Sequence, residues 1–475
     1  MKRYKALAFD FDGTLFDTHE INFQAYQKAY HDLGVEITHD QFEKTRGMSV
    51  FEFNAILGVH CDIDRLRQLK AHYYAQNVLK SKPNLYLINI LKQAKLDGIK
   101  TAIVTTARMQ NIVPLLYEYR IWDYVDVFVT QEDVNGYYKP DSRCYKIACE
   151  RLMMEPKDIL AFEDEEVGLA AAQRIGIDTI RIFKFYDDYF AEAVGGSDAR
   201  TLLIWDFNEK VPVVRKIAKD ATASEKLKQQ YDWLKENKCY SIVEACDCGT
   251  IKGNFYYDME YIHGWELYKH PQRATLFLPA LSAVIRISAG SKHVNEIDVR
   301  RNLYDMYIVK GVEIYNRVTG ENRKIPFECY KDIPQWVNDF RRGRCHGDTT
   351  LENIMLENET SRIVFIDPVP LNVVSGLVHD LSKILQSLYG YETIRDKGVC
   401  PPETFAEERG IFEKEVKKYL MESEYKSLKF LTAVLYFRRL RYQERQNPDL
   451  VKVYGDIAFK LMEEFKQENY TIAIQ

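Results

Sequence analysis

Short apolar runs alternate with helical stretches through the first part of the chain, and this alternation constrains the fold more than any other feature. Strands separated by helices in this way pair as a parallel sheet, because a parallel connection needs a crossover of a dozen residues or more. We therefore predict an α/β fold built on a parallel sheet. The predicted strands lie at Tyr4–Phe11, Thr101–Thr105, Val127–Thr130, Ile159–Phe162 and Thr179–Phe185.

A long helical insert separates the first predicted strand from the second. It covers about residues 18–92 and begins with Glu20–Leu33, whose apolar residues recur at helical spacing and which Gly34 ends. Because the insert follows directly on the first strand, we expect it to form a cap over the exit of that strand.

The composition excludes several classes of partner. With 46% hydrophobic and 28% charged residues the chain is typical of globular proteins, and its net charge of -5 gives no general attraction to nucleic acid or anionic lipid. The longest apolar stretch, Ala274–Ile287, is interrupted by Pro279, so we predict no membrane span. The first residues lack the apolar segment of a signal peptide, which favours a cytoplasmic protein. The nine scattered cysteines favour reduced thiols over a metal site.

Two carboxylates, Asp10 and Asp12, stand where the first predicted strand opens into a loop. Catalytic groups gather at the carboxyl ends of parallel strands, and two buried acids this close need a cation or a shared proton. Three further groups follow in order and supply hydroxyls and a cation for phosphate oxygens and acids for Mg2+. They are Thr105-Thr106, Lys139-Pro140 and Glu163-Asp164-Glu165-Glu166.

These four motifs, in this order, resemble those of the haloacid dehalogenase superfamily of phosphohydrolases, over about residues 1–185. The resemblance implies a Rossmann-like sheet with a small helical cap, and a Mg2+-dependent phosphatase that acts on a small phosphate ester. It implies that Asp10 is the nucleophile and that Asp12 protonates the leaving oxygen and then activates water. The implied phosphate ligands are Thr105, Thr106 and Lys139, and the implied Mg2+ ligands are Asp10, Asp164 and the carbonyl of Asp12.

Two departures bear on the activity within this superfamily. The cap resembles that of beta-phosphoglucomutase and phosphoglycolate phosphatase, but Asn22 stands where the mutase has a histidine, and Val50, after Gly47-Met48-Ser49, where it has an arginine. Loss of a cation that would grip a second phosphate favours a phosphatase, with a phosphomutase as the alternative. Glu165 replaces the small residue usual beside the metal-binding acid.

A second group of motifs lies in the C-terminal part. In His346-Gly347-Asp348 to Asn353 an acid precedes an amide by five positions, and the apolar run Ile363–Ile366 then ends at Asp367. This spacing strongly resembles the aminoglycoside phosphotransferase and choline kinase superfamily. The resemblance implies that Asp348 orients an acceptor hydroxyl, while Asn353 and Asp367 hold Mg2+ on the phosphates of ATP. Asp380 is interpreted as structural.

The preceding residues favour a small kinase-like lobe at about 190–262. Val194–Ser197 is a candidate glycine loop, and Lys216, in a strand that resembles the kinase V-A-x-K strand, is the candidate ligand of the α and β phosphates of ATP. The partner of Lys216 stays open between Glu225, Gln229 and Gln230. The segment Tyr257–Gly264 resembles the hinge between lobes, where the backbone of Glu260 and Ile262 would meet adenine.

The fold expected for the whole chain is a parallel α/β domain at 1–185 followed by a bilobal protein-kinase-like α+β domain at 186–475, with a helical large lobe at about 263–475. The expected function is a bifunctional enzyme. It would combine a Mg2+-dependent phosphatase with ATP-dependent phosphorylation of a small-molecule hydroxyl. A chain with one vestigial half, acting as a sensor or a stabilising module, is the main alternative, and a nonenzymatic scaffold is a third.

The basic-aromatic run Phe437–Tyr442 is interpreted as a solvated helix face rather than an anion site.

Overall fold

The computed structural model describes residues 2–44, 50–193, 198–288, 292–293, 298–358, 360–370 and 372–470, with backbone alone at 292–293 and at 470. The chain forms two compact units. The first unit comprises Met1–Asp220 with Asp258–Tyr261, and the second comprises Ala221–Tyr257 with Ile262–Gln475. The predicted small lobe at 190–262 is therefore divided between the units, and the predicted domain boundaries stay a prediction.

A five-stranded parallel sheet forms the core of the first unit, which confirms the predicted α/β fold. Its strand order is β5-β4-β1-β6-β7, and Ala6 pairs with both Lys100 and Ile159. The strands of the unit are β1 (Ala6–Phe9), β2 (Phe16–Asp17), β3 (Lys82–Pro83), β4 (Lys100–Val104), β5 (Val127–Val129), β6 (Ile159–Glu163), β7 (Asp178–Arg181), β8 (Ala191–Ala193), β9 (Ala199–Asp206) and β10 (Val211–Ala218). Its helices are α1 (His19–Asp32), α2 (His39–Lys44), α3 (Val50–Leu57), α4 (Ile63–Asn77), α5 (Leu85–Leu96), α6 (Met109–Glu118), α7 (Arg143–Leu152) and α8 (Glu166–Gln173).

The central strand β1 is buried on both faces, which explains its unbroken apolar sequence. Successive side chains of a strand point to opposite faces, so Leu7 and Phe9 pack in one cluster and Ala6 and Ala8 in another. The first cluster includes residues of α5 and α6, and the second includes residues of α7 and α8. Helices therefore cover both faces of the sheet.

The helical insert leaves and rejoins the sheet region through a short antiparallel ribbon in which Phe16 pairs with Pro83 and Asp17 with Lys82. Helices α1 to α4 lie between these two strands and have a hydrophobic cluster of their own, which includes Tyr30, Phe53 and Leu66. Helix α5 packs against β4 instead. The helices of the insert thus end at Asn77, before the predicted limit at about residue 92.

Strands β8, β9 and β10 form an antiparallel meander in the first unit, and Lys216 of β10 pairs with Thr201 of β9. The side chain of Arg215 donates two hydrogen bonds of 2.7 Å to Asp258. The predicted glycine loop at Val194–Ser197 lies outside the described residues.

The second unit consists of antiparallel strands and long helices. Helix α13 is buried along almost its whole length, and it packs against α16, which also packs against α17. The helices are α9 (Ala221–Glu236), α10 (Arg273–Ile287), α11 (Val299–Leu303), α12 (Lys310–Thr319), α13 (Leu377–Leu388), α14 (Tyr391–Lys397), α15 (Ala406–Val416), α16 (Glu422–Gln446) and α17 (Asp449–Tyr470), with a π-helical segment at Tyr304–Val309. The strands are β11 (Ala245–Ile251), β12 (Asn254–Glu260), β13 (Gly264–Glu266), β14 (Lys292–His293), β15 (Arg341–Arg342), β16 (Ile354–Glu357) and β17 (Ile363–Phe365). The end of β12, from Asp258, belongs to the first unit. Among the described helices of both units, none combines the length and the apolar character that crossing a bilayer requires.

Candidate active sites

Parallel pairing of β1 and β6 brings the predicted acids of the first unit to one edge of the sheet. Phe9 pairs with Phe162, so Asp10 follows β1 next to the end of β6, and its backbone N–H donates to the carbonyl of Phe162 at 3.0 Å. Asp10, Glu163 and Asp164 each offer a carboxylate oxygen, and these oxygens lie within 4.8 Å of one another. Carboxylate oxygens in such a group are the ligands that Mg2+ prefers.

Lys139 lies at the centre of these carboxylates. Its Nζ is 2.6 Å from Oδ1 of Asp10 and 2.7 Å from Oε1 of Glu163, and it donates to the carbonyl of Val104 at 3.0 Å. Burial acts to lower the pKa of Lys139, but the two carboxylates outweigh it and raise that pKa above its ordinary value. The lysine therefore stays charged in the buried site.

Burial has the opposite effect on the acids. It raises the pKa of Glu163 to about 8 and raises the pKa of Asp10, while Lys139 counteracts both shifts. The hydroxyl of Tyr145 donates to Glu163. Glu163 is thus held by two partners beside Asp10. Lys139 was predicted for this site, whereas Tyr145 was not, because no motif of the sequence indicates it.

Asp12 lies on the loop after β1 and accepts a hydrogen bond from the hydroxyl of Thr18. Burial raises its pKa, with a further contribution from the negative charge of Asp10. Gly13 on the same loop has φ +79°, and a Cβ there would lie 2.1 Å from Oδ2 of Asp164. The loop can therefore approach Asp164 only where residue 13 has no side chain.

The two threonines predicted to bind phosphate differ in position. Thr105 is buried, its N–H donates to the carbonyl of Val129, and its hydroxyl accepts from the N–H of Ala107 at 3.0 Å. Thr106 is exposed and lines the cavity above the acids, whereas Thr105 does not.

A cavity of about 390 Å³ lies above this edge of the sheet. Its floor includes the acids and Lys139, and its walls include helices of the insert. Asn22 and Val50, the two positions that differ from the mutase, both line these walls.

Lys70 of α4 is a lining residue that the sequence did not indicate. Its ammonium lies 4.5 Å from the ring centroid of Tyr74, and burial lowers its pKa to about 8. The insert therefore encloses the site, as expected of a cap.

The second candidate site is built around Asp380 of α13. This carboxylate is buried and accepts hydrogen bonds from the N–H groups of His346 and Gly347 at 3.0 and 2.7 Å and from the hydroxyl of Ser288 at 2.7 Å. It thereby fixes the backbone that precedes Asp348, in line with the structural role predicted for it.

Gly347 lets two loops of this site approach each other. It has φ +83°, and a Cβ at this position would lie 1.9 Å from the carbonyl oxygen of Val369. The N–H of Val369 donates to the carbonyl of His346 at 2.7 Å. The loop that carries Asp348 is therefore held against the loop that follows Asp367.

The hairpin of β16 and β17 aligns the other two predicted metal ligands. Ile354 pairs with Phe365, and the N–H of Ile366 donates to the carbonyl of Asn353 at 3.0 Å, so Asn353 and Asp367 flank the same end of the hairpin. The side-chain amide of Asn353 donates to the carbonyl of Asp348 at 2.9 Å. The structure thus brings Asp348, Asn353 and Asp367 together.

Lys383 of α13 is a member of this site that the sequence did not indicate. Its Nζ is 3.1 Å from Oδ1 of Asp348. Burial acts in the opposite direction, but Lys383 holds the pKa of Asp348 below its ordinary value, with smaller contributions from His346 and Arg439. Asp348 is therefore ionised at neutral pH and can accept a hydrogen bond from a hydroxyl.

The residues predicted to bind nucleotide are divided between the units. Lys216 is buried in β10, and Glu260 is buried at the end of β12, both in the first unit, whereas Ile262 belongs to the second. Of the candidates for the partner of Lys216, Glu225 is exposed and accepts from Gln229 at 3.4 Å. Gln230 accepts from the hydroxyl of Tyr257 at 3.3 Å. The choice between them stays open.

Comparison with known proteins identifies relatives of the first unit. Residues 7–182 match the family model described as haloacid dehalogenase-like hydrolase. A phosphorylated carbohydrates phosphatase of Thermotoga maritima is 30% identical over 184 residues, which are 37% of this chain and 83% of that protein. A fructose-1-phosphate phosphatase of Escherichia coli is 25% identical over 186 residues, 38% of this chain and 97% of that protein. Among solved structures, CbbY from Rhodobacter sphaeroides in complex with phosphate aligns with a TM-score of 0.36 at 24% identity, over 40% of this chain and 92% of that one.

Proposed function

Since the N-terminal part of the chain belongs to the haloacid dehalogenase-like hydrolase family and is a phosphatase, we propose that it hydrolyses a small sugar or polyol phosphate through an aspartyl-phosphate on Asp10. The observation that carries this proposal is the contact of Asp10 with Lys139 on the floor of a cavity that the insert encloses. The Thermotoga maritima and Escherichia coli relatives are named as phosphatases of phosphorylated carbohydrates and of fructose 1-phosphate, and the cavity, lined by both polar and apolar side chains, suits such a substrate.

The residues of the site fit the two halves of this reaction. Asp10 attacks phosphorus, and the bond from phosphorus to the ester oxygen breaks while Asp12 gives that oxygen a proton. Asp12 then takes a proton from water, which attacks the phosphorus of the aspartyl-phosphate and releases phosphate. The raised pKa of Asp12 suits an acid that must hold its proton until the ester oxygen leaves. Lys139 and the hydroxyl of Thr106, which both line the cavity, would bind the phosphate oxygens. The predicted phosphate ligand Thr105 is buried outside the cavity lining, and its hydroxyl instead accepts from the N–H of Ala107.

The acid group also fits a magnesium ion. Asp10, Asp164 and the carbonyl of Asp12 would be its ligands. Carboxylate oxygens of Asp10 and Asp164 lie within 4.8 Å of each other, and Mg2+ prefers hard oxygen donors of this kind. When bound, this ion would stabilise negative charge on the transferring phosphoryl group. Glu163, which contacts Lys139, would position that lysine.

Phosphate release from a panel of hexose, pentose and polyol monophosphates tests this proposal. We expect Mg2+-dependent turnover that Asp10→Asn abolishes. A chain that releases no phosphate from any member, with the fold intact by circular dichroism, would refute it. Conversion of a sugar 1-phosphate into its 6-phosphate, in place of phosphate release, would support the phosphomutase alternative. We do not expect this result, because Asn22 and Val50 replace the histidine and the arginine of the mutase.

For the C-terminal part we propose ATP-dependent phosphorylation of a small-molecule hydroxyl, with the domain boundary near residue 186. Asp348 would orient the acceptor hydroxyl, and Asn353 and Asp367 would hold Mg2+ on the phosphates of ATP. Lys216 would bind these phosphates, and the backbone at Glu260 and Ile262 would meet adenine. The supporting observation is that Asp348 and Asn353 share a hydrogen bond beside the loop that carries Asp367.

MgATP binding by the full chain is the first test of this second activity. We expect binding that Asp367→Asn weakens at least tenfold, and ADP formation in the presence of an acceptor that Asp348→Asn removes. Equal MgATP affinity of the wild type and Asp367→Asn would contradict the proposal and favour a C-terminal part that only senses a ligand or stabilises the chain.

A further inference from the structure

Two arginines of α16 lie beside the second candidate site, and the structure differs there from the solvated helix face predicted for Phe437–Tyr442. Arg438 and Arg439 are half-buried, whereas Arg441 and Tyr442 are exposed. Helix α16 packs against α13, which carries Lys383, so this part of α16 meets the protein interior.

Neither arginine is neutralised. Among the residues that the structure describes, Arg438 and Arg439 have no carboxylate partner, and the buried Nε of Arg439 has no hydrogen-bond acceptor. Two other partly buried arginines of this unit pair closely with acids, Arg273 with Glu408 at 2.6 Å and Arg341 with Glu424 at 2.6 Å. Arg409, which has no acid partner in the described part of the chain, donates instead to the backbone carbonyls of Leu388 and Pro402. Because these half-buried guanidinium groups have no counter-charge and the buried Nε of Arg439 has no acceptor, the pair can bind an anion from outside the chain.

Arg438 is positioned by a neighbour that also contacts a loop of the second candidate site. Arg438 donates to Oδ1 of Asn372 at 3.3 Å, and Asn372 donates to the carbonyl of Val369, on the loop held against His346. Arg438 also lies 5.6 Å from the ring of Tyr307, in the π-helical segment, a conformation found frequently at functional sites.

Arg439 lies over the ring of Tyr391 at 5.2 Å, and it is near enough to Asp348 to lower the pKa of that carboxyl. Lys383 contacts Asp348 directly at 3.1 Å. The nearby Glu352 is already paired with Arg395 at 2.5 Å. Lys383 and Arg439 therefore act on Asp348, and Arg438 contacts the neighbouring loop through Asn372. These three cations exceed the charge of Asp348 by two, which matches a phosphate monoester dianion.

We propose that Lys383, Arg438 and Arg439 bind a phosphate group of the acceptor, so that the C-terminal part phosphorylates a hydroxyl of an already phosphorylated small molecule. This inference rests on the kinase activity proposed above and adds the substrate class. Arginine suits this task because its planar guanidinium binds two phosphate oxygens at once.

Binding of inorganic phosphate tests the site without turnover. The full chain carries Asp10→Asn, which silences the phosphatase, and equilibrium dialysis with radiolabelled phosphate counts the bound equivalents. We expect one equivalent to be lost, or its affinity to fall at least tenfold, in Arg438→Gln and in Arg439→Gln. The matched control Arg441→Gln, on the exposed part of the same helix, keeps it. Unchanged phosphate binding in both arginine variants overturns the inference.

Two further variants separate a lost ligand from a lost fold. Arg438→Lys and Arg439→Lys retain the positive charge, so we expect phosphate affinity between those of the wild type and the glutamine variants. MgATP affinity reports on the proposed kinase activity independently. Failure to bind MgATP counts against that activity, whereas normal MgATP binding with phosphate binding insensitive to the arginines counts against this inference alone.

Turnover of matched acceptors gives the second measurement. With the Asp10→Asn chain and MgATP, ADP formation is compared for glycerol and glycerol 3-phosphate, and for ribitol and ribitol 5-phosphate. We expect kcat/KM to be at least tenfold higher for the phosphorylated member of each pair. In Arg438→Gln, KM for the phosphorylated acceptor should rise by a larger factor than kcat falls. Preference for a neutral alcohol or for choline overturns the inference. If no member is phosphorylated, the phosphate dialysis decides it.

Discussion

The absence of a side chain at Gly13 is a requirement of the phosphatase site, because a Cβ there would lie 2.1 Å from Oδ2 of Asp164. We predict that Gly13→Ala displaces Asp164 and lowers kcat/KM for a sugar phosphate by about 100-fold or more. Gly34 is the matched control, since its φ of +77° is equally unfavourable for alanine but no atom lies within 4 Å of its Cβ position. Gly34→Ala should cost about 1 kcal/mol of stability and leave kcat/KM unchanged. Equal loss of activity in both variants would mean that backbone strain, and not the approach of Asp164, limits residue 13.

The buried His379 makes the stability of the second unit depend on pH. Burial lowers its pKa to about 4 in the folded chain, and its ring nitrogen is hydrogen bonded to the carbonyl of Gly347 at 3.3 Å. In the unfolded chain the pKa of His379 is higher, near 6.5, so the unfolded chain binds more protons than the folded chain between about pH 4 and pH 6.5. The contribution of His379 to the free energy of unfolding is therefore fully present above pH 6.5 and is lost as the pH falls towards 4. We predict a loss of about 2 kcal/mol between pH 7 and pH 5 from this residue. Urea unfolding of the wild type and of His379→Gln checks it, and an equally steep pH dependence in the variant would assign the effect to other groups.

Side-chain partners are the part of both sites that the sequence could not predict. The spacing of Asp348, Asn353 and Asp367 is local enough to be read from the chain, and the structure brings these residues together. Lys383 contacts Asp348 from another helix, and Tyr145 contacts Glu163 in the same way. Such contacts depend on tertiary packing, which leaves no spacing signal in a single sequence.

At the level of the elements, strands buried on both faces were the easiest to predict. The predicted Ile159–Phe162 and Val127–Thr130 agree within one residue with β6 and β5, because an unbroken apolar run marks a strand inside a parallel sheet. The end of the insert was harder to place. The apolar residues of helix α5 recur at helical spacing, and this spacing identifies a helix but not the element against which the helix packs. The sequence therefore could not show that α5 packs on the sheet and not within the insert.

The insert has its own hydrophobic cluster, so its stability can be lowered separately from that of the sheet. Leu66 of α4 is fully buried in that cluster. We predict that Leu66→Ala costs about 2–5 kcal/mol locally and increases hydrogen exchange in α1 and α4, while β1 and β4 stay protected. Because the insert encloses the cavity, KM for a sugar phosphate should rise. Leu96→Ala, at a side chain that is 69% exposed, should change neither measurement. Faster exchange in β1 as well would show that the insert and the sheet unfold together.

At the scale of the whole molecule, the two acid-lined sites belong to different units, with Asp10 in the first and Asp348 in the second. Removal and addition of phosphate at the same hydroxyl would only consume ATP, so the two proposed activities must act at different positions or on different molecules.

We predict that Asp10→Asn abolishes phosphate release, by about 1,000-fold or more, and leaves ATP-dependent phosphorylation unchanged, while Asp348→Asn does the reverse. Asparagine keeps the size of each side chain and removes only its charge, so each change acts on one site. Phosphate release and ADP formation are measured on the same preparations of the full chain. Loss of both activities in either variant would show that the sites are energetically coupled. Unaltered ADP formation in Asp348→Asn would show that Asp348 does not orient the acceptor hydroxyl, and that the second unit does not act by the chemistry proposed for it.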